Sequence, residues 1–207
     1  MLLPIIDVGF KNYIFAKEIV MLINPDSKPA QRIKLRARDN NQFLDLTAGR
    51  AVSCLILLNN GEIAASSFET GTIKRRYSNY ADKVNESNSK VSLEPFIEIA
   101  FENYVLPYNL TGIYSAKSAP SVNLVKNAKA RDMLIDCTKG KKTRSVLILD
   151  QGYVVISNKS SRAIKNNYMS YINNINHIKD YQIEMDDEED DDDEDNELEL
   201  KKEDLHD

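Results

Sequence analysis

Cysteine, histidine and long apolar runs are all scarce in this 207-residue chain, and each scarcity removes a class of protein. The two cysteines, Cys54 and Cys137, are too few for a disulfide framework. Each lies beside apolar residues (Cys54-Leu55-Ile56 and Ile135-Asp136-Cys137), the setting of a buried free thiol in a reducing cytoplasm. The two histidines, His177 and His206, stand near no candidate acid or nucleophile, and no Cys/His pair has metal-ligand spacing. A phosphate-loop glycine pattern is also missing. Neither catalysis, nor a metal, nor a cofactor is expected. No apolar run approaches the ~20 residues that span a bilayer. The opening Met-Leu-Leu-Pro-Ile-Ile lacks the basic start of a signal sequence, and Leu2, Pro4 and Ile6 recur as Leu93, Pro95 and Ile97. It is expected to be the first strand of a domain.

Positive charge is hidden by the composition rather than absent. Residues 184–207 hold 16 Asp/Glu and 2 Lys, whereas the other 183 residues hold 25 Lys/Arg and 16 Asp/Glu, a surplus of nine cations. A basic body with an acidic tail points to a polyanionic partner. The tail, from about residue 180, cannot bury enough apolar surface to fold. Two roles stay open for it: a solubilising run, or a nucleic-acid mimic that covers basic loops.

What the chain does contain is a repeat. Residues 2–80 align with 93–171 at a constant offset of 91, with 19 identities in 79 pairs. They include Pro4/Pro95, Phe10/Phe101, Asn12/Asn103, Tyr13/Tyr104, Pro29/Pro120, Asp45/Asp136, Thr47/Thr138, Gly49/Gly140, Gly61/Gly152 and Tyr77/Tyr168. Unrelated sequences would match at about 5 positions. Two such copies are too few for a solenoid, so two small domains are expected at 1–80 and 93–172. A polar linker at 81–92 would join them, and 173–207 would form a polar extension and disordered tail.

Each copy shows the same order of elements. Apolar runs at Ile5–Gly9 and Phe96–Ala100 suit strands, as do the longer β-rich stretches Tyr13–Ile23 and Tyr104–Tyr114. Ser27 or Asp26 in copy one, and Ser118 in copy two, can cap a helix whose first turn holds Pro29 or Pro120. Ala30, Ile33 and Ala37 form its apolar stripe, flanked by Arg32, Lys34, Arg36 and Arg38. Those four cations suit either a solvated helix face or phosphate contact. Hairpins turn at Asn60-Gly61 and Gln151-Gly152, and short helices at about 69–80 and 160–171 close each copy. The fold class is α+β, mainly antiparallel, with one central and one C-terminal helix per copy.

The most specific local motif is [Leu/Ile]-Asp-x-Thr-x-Gly-[Arg/Lys], at Leu44–Arg50 and Ile135–Lys141. Asp45, Thr47, Gly49 and their counterparts Asp136, Thr138, Gly140 suit a turn closed by side-chain to backbone bonds. A carboxylate dyad, one Asp per copy, is the alternative, but a residue interrupts the contiguous Asp-Thr-Gly such a site requires. The residues around and after the turn glycine differ between copies. Copy two has Lys139-Gly140-Lys141-Lys142-Thr143-Arg144, whereas copy one has Ala48-Gly49-Arg50-Ala51-Val52-Ser53. The frame survives loss of the charges, so the cations serve something other than folding, and a mobile basic turn suits phosphate oxygens.

These segments resemble the RemA family of extracellular-matrix regulatory proteins, small bacterial DNA-binding activators. The likeness rests on Asp7-Val8-Gly9-Phe10, Asn12, Pro25-Asp26-Ser27-x-Pro29, Ala37-Arg38-Asp39 and Leu44-Asp45-x-Thr47-x-Gly49-Arg50. In copy two it rests on Ser118-Ala119-Pro120 and on Arg131–Arg144. It implies small subunits assembled into closed rings, with DNA against basic residues outside. Where the family presents Arg-Arg-Thr-Arg, copy two has Lys141, Lys142, Thr143 and Arg144, and copy one keeps only Arg50. Lysine neutralises phosphate but lacks the bidentate fork that reads bases. A further basic position of the family is Glu18 in copy one and Asn109 in copy two.

The expected function is therefore a cytoplasmic, nucleoid-associated regulatory or DNA-organising protein. It would form a homo-oligomer and contact phosphate through Lys139, Lys141, Lys142, Arg144 and Arg50. The alternative is a structural partner that co-assembles with a single-copy family member without binding DNA. No membrane partner is expected.

Overall fold

The computed structural model describes residues 5–86 and 95–175; the first four residues, residues 87–92 of the expected linker, residues 93–94, His177, His206 and the acidic tail lie outside them. Copy one runs β1 (Ile5–Gly9), β2 (Asn12–Phe15), β3 (Ile19–Ile23), α1 (Lys28–Asp39), β4 (Phe43–Asp45), β5 (Cys54–Leu58), β6 (Ile63–Ser66) and α2 (Thr70–Glu86). Copy two repeats it as β7 (Ile97–Ala100), β8 (Asn103–Val105), β9 (Leu110–Ser115), α3 (Ala119–Ala130), β10 (Leu134–Asp136), β11 (Ser145–Leu149), β12 (Val154–Ser157) and α4 (Ser161–Ile175). The class is α+β.

Local chemistry sets most of these boundaries. The Ser27 hydroxyl accepts from the Ala30 N–H at 3.2 Å, and Pro29 occupies the first turn of α1, where an N–H has no partner to lose. Ala30, Ile33 and Ala37 are its buried stripe. Two expectations change. The β-rich stretch Tyr13–Ile23 breaks at a 3-10 turn, Ala16–Glu18, and its counterpart breaks at Pro107–Asn109. A buried Ala16 and a ring at Pro107, which cannot donate to a ladder, make the corner. Helix α2 also continues to Glu86, six residues into the segment expected as linker.

Strand pairing joins the copies. A six-stranded sheet has the order β4-β6-β5-β3-β8-β7, so the hairpin of copy two extends the sheet of copy one. The junction is antiparallel, with Met21 opposite Val105 and Leu22 opposite Tyr104. Within each copy one pair is parallel, β4 with β6 and β10 with β12, and the remaining ladders are antiparallel. The largest core is likewise shared: Met21, Ile33 and Leu57 of copy one pack in one cluster with Ile97, Val105, Ile135 and Tyr153 of copy two. The described residues of both copies belong to one compact unit.

Because β7–β8 leans on copy one, equivalent residues differ in exposure. Tyr77 packs on Phe96 with ring centroids 4.7 Å apart, Lys74 stands 4.7 Å over Tyr104, and Leu106 is 0% exposed. The copy-one counterparts of Phe96, Tyr104 and Leu106 are Ile5, Tyr13 and Phe15, which are 49%, 58% and 47% exposed. Leu44 is 39% exposed where its counterpart Ile135 is 1%. On the other side, β3 is buried along its whole length, whereas Tyr114 on its counterpart β9 is exposed. Strand β9 pairs only with β11 and strand β2 only with β1, so each leaves an open edge.

Candidate nucleic-acid interface

Each Asp-x-Thr-x-Gly segment leaves the end of its parallel strand and turns at once. Asp45 Oδ1 accepts from the Thr47 N–H at 3.0 Å and from the Thr47 hydroxyl at 2.6 Å; Asp136 does the same with Thr138 at 2.8 and 2.7 Å. The Arg50 N–H then donates to the Thr47 carbonyl and the Lys141 N–H to the Thr138 carbonyl. Both central residues have positive φ, 53° and 81° at Ala48-Gly49 and 49° and 81° at Lys139-Gly140. That geometry is a type I′ turn. Both threonines are buried, and each aspartate spends one oxygen on its own turn. The Thr47 hydroxyl, and next its N–H, hold the Asp45 carboxyl below the usual carboxylate range. Its folded pKa lies below the unfolded ~3.9, so its contribution is complete at neutral pH and is lost as pH falls through the lower value.

Space around Gly140 is open, with no atom within 4 Å of an added Cβ, so only the left-handed backbone opposes a side chain there. Gly140→Ala is expected to cost about 1–2 kcal/mol, read as a shift in thermal or denaturant midpoint. A loss below about 0.3 kcal/mol would mean that the turn relaxes freely.

The five loop cations are exposed. Lys139, Lys141, Lys142 and Arg144 cluster on the copy-two turn, Arg50 stands on the copy-one turn, and none pairs with a carboxylate among the described residues. Aromatic rings sit under three of them. Lys139 and Lys141 lie 5.4 and 5.1 Å from the Phe101 centroid, and the Arg50 guanidinium lies 4.7 Å from Phe10. Phe10 and Phe101, one of the identical pairs, occupy left-handed positions (φ 53° and 44°) at the tips of the β1–β2 and β7–β8 hairpins. The N-terminal hairpin of each copy therefore supports that copy's basic turn. Nothing in the linear sequence joins Phe101 to Lys139; their proximity is visible only in three dimensions.

The hairpin also adds a cation that motif reasoning missed. Lys11, beside Phe10, is exposed, whereas its counterpart Glu102 accepts from the Asn24 side chain at 3.0 Å. Other basic residues are already engaged. Arg76 donates to the Asp7 carbonyl at 2.7 Å and pairs with its carboxylate at 2.9 Å, and Lys159 makes the equivalent 3.2 Å pair with Glu98 from a different position. Among the cations of α1, Arg36 turns into the junction between copies and Arg38 stacks on Phe43 at 4.7 Å. Glu18 pairs with Lys17 at 3.4 Å. Burial pushes the Cys54 and Cys137 thiols far above their ordinary range, so both are inert free thiols. Among the described residues no cluster of His, Cys, Asp and Glu could hold a metal, and no helix is long and apolar enough to cross a membrane.

The family described as "RemA-like: Extracellular matrix regulatory protein A-like" matches residues 5–77 and again 96–167. Individual relatives are short. A candidate regulatory protein of Pseudothermotoga lettingae is 29% identical over 87 residues, 42% of this chain and 96% of its own length. One from Shouchella clausii is 30% identical over 87 residues, 42% of this chain and all of its own. A third, from Oceanobacillus iheyensis, is 34% identical over 74 residues, 36% of this chain and 86% of its own. Two matches to one family model, together covering well over half the residues, place this chain in the RemA-like family as a tandem duplication of a subunit that these relatives carry once.

Proposed function

We propose that this protein is a DNA-binding regulatory or DNA-organising protein that holds the phosphate backbone against exposed basic turns repeated around a ring-like assembly of chains. The observation that carries this reading is the cluster of Lys139, Lys141, Lys142 and Arg144, four exposed cations on one short turn with no acidic partner among the described residues. Free phosphate-facing cations release counterions on binding, and backbone N–H groups of a left-handed turn add to an anion cradle. Arg50 and Lys11 give copy one a weaker version of the same surface.

Assembly is supported by what the chain leaves open. Copy two adds its hairpin to β3 of copy one, and the unfilled halves of the same junction are β2 at one end and β9 at the other. A second chain that docks its β2 on β9 would bury Phe15 and Ile5 as Leu106 and Phe96 are buried, and would half-bury Tyr13 as Tyr104 is half-buried. The contact joins unlike surfaces, so it closes into a ring or runs on as a filament. Several basic turns on one rigid body then act together through effective concentration.

The test is the salt dependence of binding to duplex DNA, measured by fluorescence anisotropy. A chain that neutralises four to five phosphates should show a log–log slope of about −4, that is, roughly 0.9 per phosphate. A flat response between 50 and 200 mM salt removes phosphate contact as the basis of binding. The open edges also favour a second reading, co-assembly with a single-copy relative. Mass measurement of a mixture would then give mixed particles in place of particles of this chain alone.

A further inference from the structure

Between the two copies lies a cleft of about 270 Å³ whose walls come from both. Copy one contributes Arg36, Gln42, Asn59 and Asn60, and copy two contributes Gln151 and Tyr153. Arg36 reaches across the junction. Its Nη1 donates to the Asp132 carbonyl at 2.6 Å, and its guanidinium stacks 5.5 Å from the Tyr153 centroid. No carboxylate pairs with it among the described residues. In the same wall, Gln151 Nε2 donates to Asn59 Oδ1 at 3.2 Å, while Gln151 Oε1 has no partner. It is the one buried side-chain nitrogen or oxygen without a partner among the described residues. Buried acceptors are ordinarily satisfied, and one that is not calls for an occupant.

We propose that this cleft binds a small organic anion, one per chain, with its carboxylate or phosphate on Arg36 and an N–H or O–H group donating to Gln151 Oε1. A guanidinium with free N–H groups suits an oxyanion, and its stacking on Tyr153 holds the fork in place. At about 270 Å³ the space falls just under the ~300–1,000 Å³ of drug-sized pockets, so the occupant is about the size of an amino acid. The duplication itself limits the stoichiometry. The counterparts of Arg36, Asn59 and Tyr153 are Asn127, Asp150 and Glu62. A junction built from those residues loses the cation and gains two carboxylates, so it repels the same anion. Since the occupant touches both copies, it would brace the junction that relates one basic turn to the next.

Titration calorimetry of the full chain with glutamate, O-phosphoserine and inorganic phosphate tests this, at constant ionic strength. The first two carry a donor amine and separate a carboxylate ligand from a phosphate one. Expected is saturable binding of glutamate or O-phosphoserine at one per chain, weakened at least about tenfold by Arg36→Gln and by Gln151→Leu. Should Arg36→Gln disturb folding, Gln151→Leu alone decides, since Gln151 makes one side-chain bond. Binding that survives both substitutions overturns the proposal, as does no heat from either amino acid at about 10 mM. Loss of the signal in Lys141→Ala/Lys142→Ala in place of the cleft variants also overturns it, by assigning the anion to the basic turn. The cleft and the DNA surface share no residue, so either can fail without the other.

Discussion

Replacing Lys141 and Lys142 together by alanine is expected to weaken DNA binding by about 60-fold at 0.1 M salt. Each phosphate contact contributes about 0.9 to the log–log salt slope, so losing two multiplies the dissociation constant by roughly 0.1 M raised to −1.8. The slope itself should fall by about two units, and the loss should be uniform across DNA sequences, because a lysine on phosphate carries no base information. Both side chains are exposed and pair with no carboxylate among the described residues, so the thermal midpoint should barely move. Arg50→Ala removes one contact from the copy-one turn and should cost about 8-fold on the same scale. A gel shift that is the same for wild type and the double variant, with both folded, would move DNA binding away from these turns. Equal losses from the two copies would instead mean that the cations on copy two are in excess of what the backbone can reach.

The second large effect concerns assembly. Tyr13 and Phe15 are 58% and 47% exposed on the free edge of β2, leaving about 100 Å² of each ring to bury in a junction. At ~25 cal/mol per Å² this is about 2.5 kcal/mol apiece. Tyr13→Asp with Phe15→Asp should then weaken each junction by roughly 5 kcal/mol, more than a thousandfold, and reduce the assembly to single chains at micromolar concentration. The fold of one chain should persist, since these side chains face outward within it. Tyr114→Asp on β9 should break the same junction from its other face. Because the contact is head-to-tail, mixing the two variants leaves one intact pairing, the wild-type β9 of one with the wild-type β2 of the other, and light scattering should register dimers that go no further. An unchanged particle mass in either variant, or higher oligomers in the mixture, would rule out the β2–β9 junction.

Legibility in the sequence follows the range of the interaction. Ser27-x-Pro29 marks the start of α1 because a cap and a first-turn proline act within three residues. The hairpins at Asn60-Gly61 and Gln151-Gly152 are legible for the same reason, as turn chemistry is decided by two residues. The break at Ala16–Glu18 is not, because the β-branched and aromatic residues on either side read as one continuous strand. Helix α2 outruns its sequence signal because residues 82–90 hold a single apolar side chain, Val84, and so carry no periodic apolar pattern. At the basic turn, the charges are legible one by one. Their engagement is not: Arg76 and Lys159 close ion pairs with Asp7 and Glu98, partners far away along the chain. Lys11 belongs to no local motif, so only its place at the hairpin tip brings it to the basic surface.

Sequence alone determined that there are two copies of one α+β unit, in what order each copy's strands and helices come, and that copy two carries the richer basic turn. Those properties rest on neighbours along the chain. Tertiary structure decided which copy's strand lies beside which, and so that β8 completes the sheet of copy one while β2 and β9 stay open. It also set Phe101 beneath Lys139 and Lys141 and turned Arg36 inward to the cleft. The reason is physical: a strand edge offers the same row of N–H and C=O groups to any suitable partner, so pairing across some eighty residues is chosen by packing, which no local pattern encodes.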